Sequence, residues 1–178
     1  NGKKHEYGNF VLGKRVGQWK LRYPDIDKTW VATSYWVGNK DTTYERLTFY
    51  RSGKLKRKEY QVGDNTVGIC YNEDGTERTF TSFEVTPDAD YDPNLFLAKY
   101  LQYPLVARNM GMQGRILVRF KIDEAGKIGD VVALNDPETL LAKEAVAVVK
   151  KMPPWKPAMQ DDVPVAFYFT IPVNFKVR

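Results

Sequence analysis

The sequence predicts an α+β protein: an N-terminal antiparallel β-meander of repeats, then two helices on a three-stranded antiparallel sheet of strand order 2-1-3. Three observations predict it. Glycines recur at an interval of 25 residues, at Gly13, Gly38 and Gly63, each after an apolar residue and before polar ones. From Asn94 the pattern becomes helix, strand, strand, helix, strand. At the end, Val165, Phe167, Phe169, Ile171, Val173, Phe175 and Val177 alternate with Ala166, Tyr168, Thr170, Pro172, Asn174 and Lys176. That period of two predicts one strand from Val163 to Val177 with a single buried face.

The repeats come first in the chain. Val11-Leu12-Gly13-Lys14-Arg15, Trp36-Val37-Gly38-Asn39-Lys40 and Gln61-Val62-Gly63-Asp64-Asn65 each lead into a β-rich run. The runs hold Trp19, Leu21 and Tyr23, then Leu47 and Phe49, then Val67, Ile69 and Tyr71. Ser52-Gly53 and Asp74-Gly75 are turn signals. The register slips in the second unit, so the repeat is degenerate. A twisted antiparallel meander is expected over residues 5–86, within a domain of residues 1–86.

Thr86-Pro87-Asp88-Ala89-Asp90-Tyr91-Asp92-Pro93 is polar and bounded by prolines, and it predicts a linker at residues 87–94. Its Asp-x-Asp-x-Asp spacing is that of a calcium loop, but Pro93 stands where that loop needs glycine and Lys99 where it needs glutamate. A helix cap is the better reading.

A second domain is expected over residues 95–178. Leu95 to Leu101 is apolar-rich, Pro104 suits a helix's first turn and Gly111 its C-terminal end. Leu105, Val106 and Met110 would face inward. Ile116, Val118, Phe120 and Ile122 alternate with Leu117, Arg119, Lys121 and Asp123, giving one apolar and one largely charged face. Asp123-Glu124-Ala125-Gly126-Lys127 predicts a hairpin loop into a strand from Ile128 to Leu134. Asp136-Pro137-Glu138 predicts a helix start, with Leu141, Ala145, Val148 and Met152 as its apolar stripe. Pro153-Pro154 ends it, and a polar turn at Gln160-Asp161-Asp162 leads into the last strand. Pro172 has no N–H to give a neighbour, which favours a sheet edge for that strand. An edge offers backbone groups to another chain.

Composition narrows the function classes. The 178 residues are 43% hydrophobic and 13% aromatic, so the chain is globular and long enough for a substantial core. One cysteine, Cys70, and one histidine, His5, argue against a disulfide framework, a multi-cysteine or histidine-based metal site and a serine–histidine triad. No cofactor, metal or enzymatic activity is expected. Glu144 and Lys143 read as a solvated helix face, and Cys70 as packed. No apolar run approaches the length that spans a bilayer. The chain begins at Asn1 without methionine, so a signal, lipid anchor or membrane helix upstream is anticipated. The net charge is +5, with 15 Lys and Arg against 11 Asp and Glu in residues 1–86. The excess gathers at Lys54, Lys56, Arg57 and Lys58. Its bland reading is a solvated strand face; its sharper one is contact with a phosphorylated envelope polymer or lipid headgroup. Nucleic acid is not expected, because alternating aromatics in a sheet are mostly core.

Two resemblances add to this. Glu6-Tyr7-Gly8-Asn9-Phe10-Val11-Leu12-Gly13-Lys14-Arg15-Val16-Gly17-Gln18-Trp19 resembles the bacterial MORN-type repeat, which implies a β-sheet scaffold used for interaction. Gln102-Tyr103-Pro104-Leu105-Val106-Ala107-Arg108, Gly111-Met112-Gln113-Gly114-Arg115-Ile116-Leu117-Val118-Arg119-Phe120, Met152-Pro153-Pro154-Trp155-Lys156-Pro157 and Ile171-Pro172-Val173-Asn174-Phe175 resemble the C-terminal domain of TonB proteins. That resemblance covers residues 95–178. It implies a periplasmic domain that grips the Ton box of TonB-dependent outer-membrane receptors and transmits energy from inner-membrane motor proteins, which it would reach through a segment outside this chain. It also implies that the receptor peptide adds to the last strand while Gln102, Tyr103 and Pro104 lie near the receptor plug.

The partner-binding candidates are therefore Gln102, Tyr103 and Pro104 together with Val165, Ala166, Phe167, Tyr168, Phe169, Thr170 and Ile171, with Tyr168 and Thr170 tuning selectivity from the solvent side. The alternative is a periplasmic or surface adaptor that binds protein or envelope polymer without energy transduction. Closure of the edge by a second copy, as a homodimer, is the competing use of the same strand.

Overall fold

The computed structural model describes residues 5–11, 14–22, 30–37 and 42–176, with side chains described at Gly8, Asn9 and from Glu45 onward. Gly13, Gly38, Tyr23 and Val177, which the sequence singles out, lie outside the described residues. Two units divide the chain: Asn1–Glu84 with Asp161–Val163, and Val85–Gln160 with Pro164–Arg178.

The first unit is built on a seven-stranded sheet of β1 His5–Val11, β2 Lys14–Arg22, β3 Trp30–Val37, β4 Thr42–Phe49, β5 Leu55–Val62, β6 Asn65–Tyr71 and β7 Glu77–Arg78. Each strand pairs antiparallel with the next, in chain order. Val62 pairs with Asn65, so Gly63-Asp64 is a two-residue turn, and Gly63 takes the left-handed φ of +60° that such a turn demands.

Alternation puts Arg46 and Thr48 of β4, Arg57 and Glu59 of β5, and Gly68 and Cys70 of β6 on one face. Phe80, Thr81 and Phe83 cover that face. A Cβ on Gly68 would lie 2.8 Å from the Phe80 ring and 2.2 Å from the Lys58 carbonyl, so only glycine lets the ring approach. Phe83 lies against the Arg46 guanidinium, 4.5 Å from ring centre to charge, and its N–H donates to the Glu59 carboxylate at 2.8 Å.

The basic cluster is divided: Lys54 is exposed and Lys58 partly so, as a solvated face requires, but Arg57 is not. Arg57 is 0% exposed and donates to the carboxylates of Asp161 and Asp162, the latter at 2.7 Å. Lys56 lies 3.0 Å from Asp161, and Lys58 lies 3.0 Å from Glu45. Lys54 donates to the Glu73 carbonyl at 2.8 Å. Alternation turns Arg57 to the covered side, where a cation requires partners, and the Asp161-Asp162 turn supplies them.

The chain continues with β8 Glu84–Val85, α1 Pro93–Tyr100, α2 Leu105–Asn109, β9 Gly114–Ile122, β10 Ile128–Ala133, α3 Leu140–Val149, β11 Ala158–Gln160, β12 Val163–Val165 and β13 Phe167–Phe175, all in the second unit except Glu84 of β8 and Val163 of β12. The main sheet of that unit is antiparallel in the order β10-β9-β13; the short strands form another in the order β12-β11-β8. The core joins Ile116, Val118, Phe120 and Ile122 of β9 and Ile171, Val173 and Phe175 of β13 to Leu141, Ala145 and Val148 of α3 and to Trp155. Asp92 caps α1, its carboxylate accepting from the Asn94 N–H at 2.7 Å with Pro93 at the first helical position. The linker's Ala89 and Tyr91 pack against this core.

Three local expectations are corrected. Leu105, Val106 and Met110 do not face inward: they are 73%, 59% and 70% exposed. A five-residue helix turns only one position fully to the core, and here it is Ala107, whose small side chain lets α2 lie close. The third helix starts three residues later than Asp136-Pro137-Glu138 predicts. Asp136 has a φ of +46°, incompatible with an N-cap, so Thr139 caps α3 by accepting from the Ala142 N–H. Finally, Val163 to Val177 is not one strand. Ala166 breaks it into β12, which pairs with β11, and β13, which pairs with β9. The cause is the turn at Asp161 and Asp162, both with left-handed φ (+51° and +68°), which folds β12 back on β11 as a tight hairpin.

Candidate functional site

β13 pairs with β9 along its whole length, from Phe167 opposite Ile122 to Phe175 opposite Gly114. On its other side no strand lies among the described residues. Which backbone groups face that open side follows from β9. The Leu117 N–H donates to the Asn135 side chain at 2.7 Å, and the Leu117 carbonyl accepts from the Leu134 N–H at 2.8 Å. Leu117 thus points its backbone toward β10 and away from β13. Its partner Pro172 must then point its own backbone away from β9, because residues in a non-hydrogen-bonded antiparallel pair face apart.

By alternation, Tyr168, Thr170, Pro172 and Asn174 turn their backbone groups to the open edge. Three of them offer both N–H and C=O, and Pro172 offers C=O alone. A proline is tolerated here because the N–H it lacks would not have met β9. Phe169, Ile171, Val173 and Phe175 bond to β9 and aim their side chains at the core.

Side chains on the sheet's solvent face alternate with the core set. From β13 these are Tyr168, Thr170 and Asn174, all exposed, with the half-buried Pro172 between the last two. From β9 they are Arg115, Leu117, Arg119 and Lys121. The Arg119 guanidinium lies over the Tyr168 ring, 5.7 Å from its centre, and so leans toward the edge strand.

The predicted partner-binding residues fall into three places. Tyr168 and Thr170 lie on the open row, and Phe167, Phe169 and Ile171 alternate with them in β13. Val165 belongs to β12, and Ala166 sits between the strands. Gln102, Tyr103 and Pro104 lie between α1 and α2. There the Gln102 N–H donates to Glu144 at 3.0 Å, and the Tyr103 hydroxyl donates to the Met112 carbonyl. The Tyr103 ring meets Phe175 edge-on with centres 5.5 Å apart, bracing the far end of β13.

Sequence reasoning left out Asn174 and the cations Arg115, Arg119 and Lys121 as site residues. The alternation in 115–122 shows the charged face, but only the pairing with β13 sets it beside an open edge.

No curated protein and no solved structure matches this chain, and the resemblance of its first part to MORN-type repeats finds no support. The part carrying the open-edged sheet is different: residues 99–177, from the end of α1 through β13, match the family model of the Gram-negative bacterial TonB protein C-terminal.

Proposed function

We propose that the second unit is a TonB-like docking domain of the bacterial periplasm, and that it captures an extended segment of an outer-membrane receptor, its Ton box, by strand addition to β13. One observation carries the reading: β13 is fully paired on one side and presents the N–H groups of Tyr168, Thr170 and Asn174 on the other. Backbone bonds to an added strand supply affinity with little demand on its sequence. The role is binding, not catalysis, and in the family it couples inner-membrane energy to transport. No helix among the described residues is long and apolar enough to cross a membrane, so contact with a motor would use a segment outside them.

The test uses Thr170→Pro. It deletes an outward N–H without touching the bonds to β9, so the sheet survives while an added strand loses a central bond and meets the ring. Binding of a Ton box peptide to the whole chain, measured by fluorescence anisotropy, should fall about tenfold or more. Hydrogen exchange should slow on peptide addition at Tyr168, Thr170 and Asn174. Unchanged affinity in Thr170→Pro would overturn the reading.

A second reading, the adaptor, is favoured by a different observation. Tyr60, Val62, Val67 and Ile69 are exposed together on β5 and β6 of the first unit, an apolar surface that strand addition to β13 does not use.

A further inference from the structure

We propose that the strand received by β13 is acidic, and that Arg119 and Lys121, with Arg115 toward the other end, select it by charge. This rests on the strand-addition reading and goes further, to the side chains of the segment.

Arg115, Arg119 and Lys121 share the solvent face of β9, the central strand. Arg119 and Lys121 lie about 7 Å apart along it. Like charges in such a row repel. None of the three makes an ion pair among the described residues, whereas Lys56, Arg57, Lys58 and Arg78 are each matched by a carboxylate. The acid on a flanking strand, Asp130, is exposed in the β10 bulge between Gly129 and Val132, on the side away from the open edge, and makes no ion pair with them. Arg119 faces Thr170 on one side and Val132 on the other, Lys121 faces Tyr168 and Gly129, and Arg115 faces Asn174.

The row is also aimed. An added strand would lie about 10 Å from β9, two strand spacings away. Arg119 covers about half of that gap, because its guanidinium lies over the ring of Tyr168, a residue of the open row one strand spacing from β9. A Glu or Asp on the solvent face of the incoming strand, opposite Tyr168 or Thr170, comes within reach of Arg119 and then Lys121. Farther along, Leu117 and Pro172 interrupt the charge, and Pro172 gives no N–H. The segment is therefore expected to be acidic at the Tyr168 end and uncharged where it passes Pro172.

The test titrates the whole chain with two nine-residue peptides of alternating Thr and Val, one carrying Glu at two Thr positions and the other Gln. The Glu peptide should bind roughly tenfold tighter at low salt, and the gap should close at high ionic strength. Arg119→Gln combined with Lys121→Gln should abolish the preference. Arg119→Glu should reverse it toward a Lys-bearing peptide. Equal affinity for Glu and Gln peptides, both sensitive to Thr170→Pro, would overturn the charge selection while leaving strand addition standing. Binding of neither peptide would overturn both. Glu-peptide binding that ignores Thr170→Pro and is displaced by vesicles rich in phosphatidylglycerol would overturn the proposal in favour of an anionic surface.

Discussion

The β4–β6 part of the first unit and the β9–β13 part of the second are both antiparallel sheets with one covered face, and they cover opposite kinds of residue. In the second unit the covered face is Ile116, Val118, Phe120, Ile122, Ile171, Val173 and Phe175, and the open face carries Arg115, Arg119 and Lys121. In the first, charge is inside: Thr48, Arg57, Glu59 and Asp161, the buried polar and charged side chains among the described residues, all belong to it. Its open face shows Tyr60, Val62, Val67 and Ile69. Alternation fixes which side chains share a face, whereas the segment that crosses the sheet decides which face is covered. In the first unit that segment is Phe80–Phe83 with Asp161-Asp162, which matches charges as well as rings.

The largest effects come from breaking each covered face in its own terms. Phe120→Ala removes a ring packed against Trp155 and Phe169, at centre distances of 5.7 and 5.9 Å, and should cost about 4 kcal/mol. Arg57→Met should cost about 3 kcal/mol for another reason: it strands Asp161, 2% exposed, with Lys56 as its remaining cation. Adding Asp161→Asn removes the stranded charge and should return about 1 kcal/mol or more. Urea unfolding read by hydrogen exchange at β5 and β9 separates the two units. A loss below about 1 kcal/mol in Arg57→Met would show that the polar face does not depend on its ion pairs.

Acid should distinguish the sheets next. Burial works to raise Asp162, but the Thr81 hydroxyl and the charges of Arg57, Lys56 and Arg78 hold its carboxyl below the ordinary value. A depressed folded value gives stability that is full above the unfolded value, about 3.9, and lost as pH falls through the folded one. Burial pushes Glu59 up instead, so its contribution is full in acid and lost as pH rises through its folded value. The first unit therefore carries opposing slopes. Asp162→Asn should flatten the acid-side loss at β5, followed by hydrogen exchange between about pH 5 and 2, and leave β9 unmoved. An unchanged acid limb at β5 would remove Asp162 from the account.

These differences also explain what the sequence discloses. The α+β class, the apolar stripe of α3 and the one-sided pattern of β9 are local periodicities, and local periodicity survives folding. The break at Ala166 does not show in that pattern, because β12 continues the alternation while pairing elsewhere; the pair of left-handed φ values at Asp161 and Asp162 causes it. The exposure of Leu105, Val106 and Met110 is hidden too, since apolar spacing in a one-turn helix cannot say which side meets the core. Pro172 predicts an edge correctly in kind, yet the edge's open row needs the register against Leu117. Within the basic run at 54–58, Lys56 and Arg57 mislead because their partners, Asp161 and Asp162, are about a hundred residues away in the chain.

The smallest expected effect tests the comparison from its open side. On a free face, Val67→Thr and Ile69→Thr exchange solvated methyl groups for hydroxyls while keeping a β-branched or strand-compatible shape, so each should change stability by no more than about 0.5 kcal/mol. The same chemistry at Val118, which is 0% exposed, buries a hydroxyl in an apolar core and should cost about 1–3 kcal/mol. A ratio near one between the two sheets would mean that Val67 and Ile69 are covered in solution. Concentration then tells by what: a cost that grows with protein concentration assigns the cover to a second copy, since only association would make stability depend on it.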